Sequence, residues 1–265
     1  MGNRMNKDEI KNCGDELYEA MVARTTVSPL TERYRDITIE DAYYISLQML
    51  ARRVEAGEEV IGKKIGVTSK PVMDMLGVFQ PDFGFLTDKM VYASGEMPIS
   101  QKLIAPRAEG EIAFKLKADL IGPGVTNADV LAATELVMPC FEVVDSRIKD
   151  WKIKIQDTVA DNASCGLFIA NESAAVDPRD IDLGTCGMVV EKNGATLSTG
   201  AGAAALGSPV NCVAWLANTL GQFDIPLKAG EIILSGSLVP LEPVIAGDVM
   251  NVRVGGMGNC EVRFI

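Results

Sequence analysis

Near residue 90 the spacing of apolar residues changes from the helical period to the strand period, and this switch limits the possible folds more than any other feature. Lys7 to Arg24 carries the helical pattern and stops at Ser28-Pro29. A second helix is expected from Thr38 to Ala56, because Thr38 and Asp41 have capping-box spacing and Gly57 supplies a stop. "VIGKKIGVTS" (60–69) reads as a strand entering a loop, and "LGVFQPDFGFL" (76–86) as a loop punctuated by Pro and Gly. Beyond the switch, "AEGEIAFKL" (108–116) and "MPCFEVVDSR" (138–147) read as strands. Between them, Thr126 and Asp129 cap a helix expected to turn Val130, Ala133 and Val137 inward. Asn193-Gly194 marks a hairpin. Ser208 and Pro209 open a helix striped with Val210, Val213, Ala214, Ala217 and Leu220, and Gly221 closes it. The tail reads as three strands. A helical third followed by a strand-rich body makes an α+β protein.

Composition narrows the chemistry. Asp and Glu number 36 against 25 Lys and Arg, a formal net charge of −11. Such a surface repels phosphate backbones and anionic headgroups, so neither nucleic acid nor membrane is expected as a partner. An anionic substrate then needs a local positive centre. The six cysteines are scattered with no C-x-x-C pair, the pattern of free buried thiols in a cytoplasmic protein. No charged segment followed by an apolar one opens the chain, so no signal peptide is expected, and Met5 is an alternative start. The uncharged stretch from Ala195 to Phe223 is broken by polar residues, Gly and Pro, and reads as core, not a membrane span. The chain contains no histidine. That excludes Ser-His-Asp and Cys-His catalysis and every histidine-bearing zinc site, and leaves any metal to oxygen ligands.

Glu109 and Glu111 are two apart on an expected strand, so their carboxylates share a face. At about 4 Å, two such charges repel by roughly 4 kcal/mol at an effective dielectric near 20. Water, a cation or a raised pKa has to compensate, and a solvated face is the plain alternative. Glu142 lies in the apolar run "VMPCFEVV", where an unpaired carboxylate is costly to bury. Three acids from two strands suit a hard cation, Mg²⁺ or Mn²⁺. Lys64, between apolar neighbours, is the candidate positive group, and burial is expected to lower its pKa. Lys63, on the opposite face, reads as a surface lysine. Asp161, Asn162 and Ser164 are candidates for lining a pocket and binding a substrate carboxylate, or plain loop hydrogen-bonders. Ser235, with Gly236, is a candidate to offer a backbone N–H to substrate, or an ordinary strand end.

"PRAEGEIAF" (106–114), followed 31 residues after Glu111 by Glu142 in "FEVVDSR", resembles the metal motif of the fumarylacetoacetate hydrolase superfamily. "GKKIGVTS", "QPDFGFL", "DTVADNASCG" and "GAGAAALGSPVNCVAWLAN" are similar to its hydratase and decarboxylase branch, from about Gly14 to Ile265. The resemblance implies a mixed, rolled β-sheet with flanking helices, a helical N-terminal region over residues 1–88 and a catalytic domain over 89–265. It implies Glu109, Glu111 and Glu142 as metal ligands, and Asp82 as an acid–base residue beside Lys64, with a turn-forming aspartate as the plain alternative. It further implies hydration of a small 2-oxo (enol) acid, 2-hydroxypenta-2,4-dienoate, in meta-cleavage degradation of aromatic compounds. The alternatives are 4-oxalocrotonate decarboxylation and a mainly non-catalytic partner subunit. A homo-oligomer and a complex with 4-oxalocrotonate decarboxylase are also implied. The family's carbon–carbon hydrolases resemble one another in a water-activating His–Glu pair, which this chain lacks. "GAGAAA" (200–205) satisfies a dinucleotide-binding fingerprint, but its helix starts only at Ser208, so close backbone packing is the better reading.

Overall fold

The computed structural model describes residues 5–70, 73–74, 78–93 and 95–265. Residues 1–4, and Leu76 and Gly77 of the expected loop, lie outside the described residues. The first helix, Lys7–Ala23, is held at its start by an Asn6–Glu9 capping box and ends at Arg24 in the left-handed conformation. The second long helix, Ile39–Glu55, carries the expected Thr38–Asp41 box, and Gly57 follows its end at φ +90°. The two pack together through Cys13, Leu17 and Ala20 on one and Ala42, Ile45 and Met49 on the other.

Among the described residues the strands form two mixed sheets. The larger runs β2 (Asp82–Thr87), β1 (Val60–Gly66), β10 (Ile232–Leu234), β5 (Arg107–Leu116), β6 (Thr134–Val144), β7 (Leu167–Ala170) and β3 (Val91–Tyr92), with β11 (Glu242–Pro243) also on β5. β1 and β10 are parallel, as are β3 and β7; the other pairs are antiparallel. The smaller sheet runs β4 (Gly95–Met97), β13 (Gly258–Phe264), β12 (Val249–Val254), β8 (Gly187–Lys192) and β9 (Ala195–Ala201). It covers one face of the larger, where Gly110 lies under Met188, Val190 and Val252. Ile112, Phe114, Phe141 and Val143 belong to the extensive core on that side. The alternate residues, Ala113, Met138 and Cys140, join Leu86, Met90, Phe168 and Leu234 in a separate apolar cluster.

Three local expectations need correction. Asp82–Thr87 is a strand, not a loop: Phe83 and Phe85 alternate with small or polar residues, and Tyr43 stacks on Phe83 with ring centroids 4.2 Å apart. The helix after Thr126 ends at Ala133, and β6 begins at once at Thr134, so Val137 lies in the strand. Valine at that spacing fits both periods, and the ladder with β5 decides between them. Lys63 is buried, not at the surface. It does face away from Lys64, but there its Nζ meets Glu231 Oε1 at 2.5 Å.

The hairpin turns at Asn193 and Gly194, both at positive φ, and the helix Pro209–Leu220 is capped by Ser208. At Gly202 a Cβ would lie 1.7 Å from the Leu183 carbonyl oxygen, so close packing of backbone accounts for the glycine there. No helix among the described residues is long and apolar enough to cross a membrane.

Candidate active site

β5 and β6 pair with Glu109 opposite Glu142 and Glu111 opposite Cys140. In an antiparallel ladder, opposed residues share a face, and so do residues two apart. One face therefore carries all three glutamates, each offering a carboxylate oxygen within 4.8 Å of the others. Glu111 and Glu142 are buried and Glu109 is half-buried. The Gly236 N–H donates to Glu111 Oε2 at 2.9 Å. Lys64 reaches the cluster from β1, with Nζ 3.1 Å from Glu142 Oε1, an ion-pair contact that lies off the hydrogen-bond axis. Asp82 begins β2 opposite Gly66. A Cβ on Gly66 would lie 2.3 Å from Asp82 Oδ1 and 3.3 Å from Lys64 Nζ, so the missing side chain is what admits both groups.

Four carboxyls thus surround one ammonium, and the electrostatics follow from that count. Burial, then the charge of Glu142, pushes the Glu109 carboxyl up to about 8. Burial, then Glu142 and Glu109, raises Glu111 well above the usual range. Burial raises Glu142 and Asp82 as well, although Lys64 opposes it in both. For Lys64 the sequence expectation is reversed. Burial by itself would lower its pKa, but the surrounding carboxylates, Glu142 foremost, hold it above the ordinary value. That direction favours the ammonium form of Lys64.

Glu111 Oε1 and Asp82 Oδ1 are buried without a hydrogen-bond partner among the described residues. Orphaned buried carboxylate oxygens are costly, and a cation relieves that cost directly. Clustered hard oxygen donors with no nitrogen or thiolate among them fit Mg²⁺ or Mn²⁺.

The other candidates engage protein partners. Asp161 is buried against Arg147, whose Nε meets Asp161 Oδ1 at 2.5 Å, and it accepts the Arg147 N–H at 2.9 Å. The Ser164 hydroxyl lies 3.1 Å from that of Thr158. Ser235 donates its hydroxyl to the Ile112 carbonyl at 2.7 Å. Asn162 clamps β2, accepting the Phe85 N–H at 2.8 Å and donating to the Phe85 carbonyl at 3.0 Å. Two thiols escaped the reading of the sequence. Cys165 lies against Glu142 and Lys64, and Cys140 stands opposite Glu111. Cys165 directly follows "DNAS", whereas Cys140 has only its even spacing from Glu142 as a signal.

The chain is similar to several known proteins. Residues 59–265 match the family model described as fumarylacetoacetate (FAA) hydrolase C-terminal. The chain is 77% identical over 222 residues to a 2-hydroxypent-2,4-dienoate hydratase of Pseudomonas putida, covering 83% of this chain and 100% of that protein. It is 60% identical over 261 residues to a 2-hydroxyhexa-2,4-dienoate hydratase of Comamonas testosteroni, covering 97% and 98%. Its fold is similar to that of 4-oxalocrotonate decarboxylase from Pseudomonas putida G7 complexed with magnesium and adipate. That match has a TM-score of 0.95 and 36% identity, over 99% of this chain and 100% of the other.

Proposed function

The chain belongs to the fumarylacetoacetate hydrolase family, and from that premise we propose that it hydrates 2-hydroxypenta-2,4-dienoate (2-oxopent-4-enoate) to 4-hydroxy-2-oxopentanoate. The observation that carries this reading is the buried cluster of Glu109, Glu111 and Glu142 with its orphaned oxygen, set beside Lys64 and Asp82. The two hydratases at 77% and 60% identity support the substrate class. Glu109, Glu111 and Glu142 would hold Mg²⁺ or Mn²⁺, which when bound supplies Lewis acidity toward the oxygens of a 2-oxo acid. Magnesium in the similar decarboxylase supports that choice.

The chain's own groups then manage protons. Net hydration moves the enol proton to the terminal carbon, adds hydroxide to the fourth carbon and a proton to the third. Lys64, an ammonium against Glu142, and Asp82, with Oδ1 unpartnered, are the proton carriers on this face. Asp161, Ser164 and Ser235 act as the frame of the pocket, since their polar groups already hold Arg147, Thr158 and Ile112. With no histidine, the chain lacks the His–Glu pair of the family's hydrolases.

Decarboxylation is the second reading, favoured by the TM-score of 0.95. Lys64 is the one cation that the described residues place among the carboxylates, and the same face continues into Met138, Cys140, Phe168 and Leu234. That suits a monoacid with an apolar end better than a diacid, and so supports hydration. A homo-oligomer, and a partnership with a 4-oxalocrotonate decarboxylase that supplies the unstable dienol, belong to the same proposal.

The test follows freshly generated 2-hydroxypenta-2,4-dienoate with and without EDTA, with carbon dioxide release measured in parallel. Loss of dienol only when a dication is present, and no carbon dioxide, is the expected result. Glu111→Gln is expected to lose turnover while its circular dichroism stays unchanged. Full activity in that variant refutes the ligand set.

A further inference from the structure

Beside Cys165, a cavity of about 300 Å³ opens between the ends of the two long helices, the turn at Lys89 and the segment Gln101–Leu103. Its lining sets five cationic residues, Arg24, Arg53, Lys89, Lys102 and Arg147, against two acidic ones, Glu58 and Asp145. In a chain of net charge −11 this is an inversion of sign. Both acids are already engaged. Glu58 is 2.7 Å from Arg53, and Asp145 accepts the N–H groups of Ile104 and Ala105 at 3.0 and 2.7 Å. Arg147 is held by Asp161 and Lys89 by Asp88. Arg24 and Lys102 have no carboxylate within ion-pair distance among the described residues. The Arg24 guanidinium donates to the Ser100 carbonyl at 2.9 Å. Concave, polar, positively biased space of this size is what a small anion requires.

We propose that this cavity is a second site, separate from the carboxylate cluster, for a small oxyanion bearing carboxylate or phosphate groups. Arg24 and Lys102 supply the free charge, and Arg53 and Arg147 supply a fixed cationic wall. Cys165 adjoins both sites. Its carbonyl accepts from Arg147 Nη1 at 2.9 Å, and its thiol lies against Glu142.

The test is titration calorimetry of the full chain with magnesium present, using inorganic phosphate in one arm and succinate in the other, at ionic strength fixed with sodium chloride. A saturable site that persists when the carboxylate cluster can no longer hold a dication is expected in one arm, and that arm identifies the chemistry. The paired substitution Arg24→Glu with Lys102→Glu, at exposed positions, is expected to weaken that binding about tenfold or more, about 1.4 kcal/mol per factor of ten. Glu111→Gln is expected to remove any anion bound through a dication at the carboxylate cluster and to leave binding at this second site unchanged. Absence of saturable binding in both arms, equal binding in the paired variant, or loss of binding in Glu111→Gln would each overturn the proposal.

Discussion

Gly66 shows how much one missing methyl group controls here. Asp82 and Lys64 come together over it, with Asp82 Oδ1 in the space that a Cβ would take. Gly66→Ala is therefore expected to displace the carboxylate by a sizeable fraction of an ångström. Turnover should fall about 100-fold, as misplacement of reacting groups by about 1 Å does, while magnesium binding is retained. Steady-state kinetics beside magnesium calorimetry checks this, and an unchanged kcat would contradict the placement of Asp82. Lys64 teaches a related lesson. From the sequence, burial alone was legible, and burial alone lowers a lysine pKa. The opposing carboxylates arrive from β5 and β6, strands that lie 40 or more residues away in sequence, so the sign of the shift was not.

At the scale of elements, the turn Asn162–Ser164 holds three consecutive residues at φ +54°, +50° and +53°, none of them glycine. Left-handed conformation costs roughly 1–2 kcal/mol per such residue, so neighbouring contacts have to enforce it. The Asn162 clamp on Phe85, the Ser164 carbonyl accepting the Asp145 N–H at 2.8 Å, and the Arg147–Asp161 pair do so. Together they fix β2, and with it Asp82, against the sheet. Asn162→Ala leaves two backbone groups of Phe85 without partners at about 1–3 kcal/mol each, so a loss of about 2–6 kcal/mol is expected in denaturant unfolding. A loss below about 0.5 kcal/mol, the ordinary range for an uninvolved surface position, would remove this turn's assigned role.

For the whole molecule, the carboxylate cluster couples stability, protons and metal. The Glu109 carboxyl titrates at about 8 in the metal-free fold, against 4.5 for an unperturbed glutamate. The fold thus retains a proton that the unfolded chain has released. That contribution to stability is complete below 4.5 and is lost as pH rises through about 8. A bound dication takes the place of protons, so magnesium affinity should strengthen from pH 6 to pH 8, with proton release visible in buffers of different ionisation enthalpy. Thermal unfolding of EDTA-treated protein should show the complement. Magnesium at about 100 times its Kd adds about 2.7 kcal/mol, and at a fixed magnesium concentration the gain widens with pH. Affinity flat across this range, without proton release, would mean that the glutamates are not the metal's ligands.

The sequence by itself determined the local structure: both long helices, the Thr38–Asp41 cap of the second, the Asn193-Gly194 hairpin and the helix opened by Ser208 and Pro209. Each depends on residues within a few positions of one another. It also exposed the carboxylate trio, because period two puts Glu109 and Glu111 on one face and an apolar run makes Glu142 conspicuous. Only the tertiary structure decided that Asp82 sits in a strand, that Lys63 is buried against Glu231, that Lys64 is a charged partner of Glu142, and that Cys165 adjoins two sites. Those outcomes depend on strand register and on charges far apart in the chain, which meet only when the sheet closes.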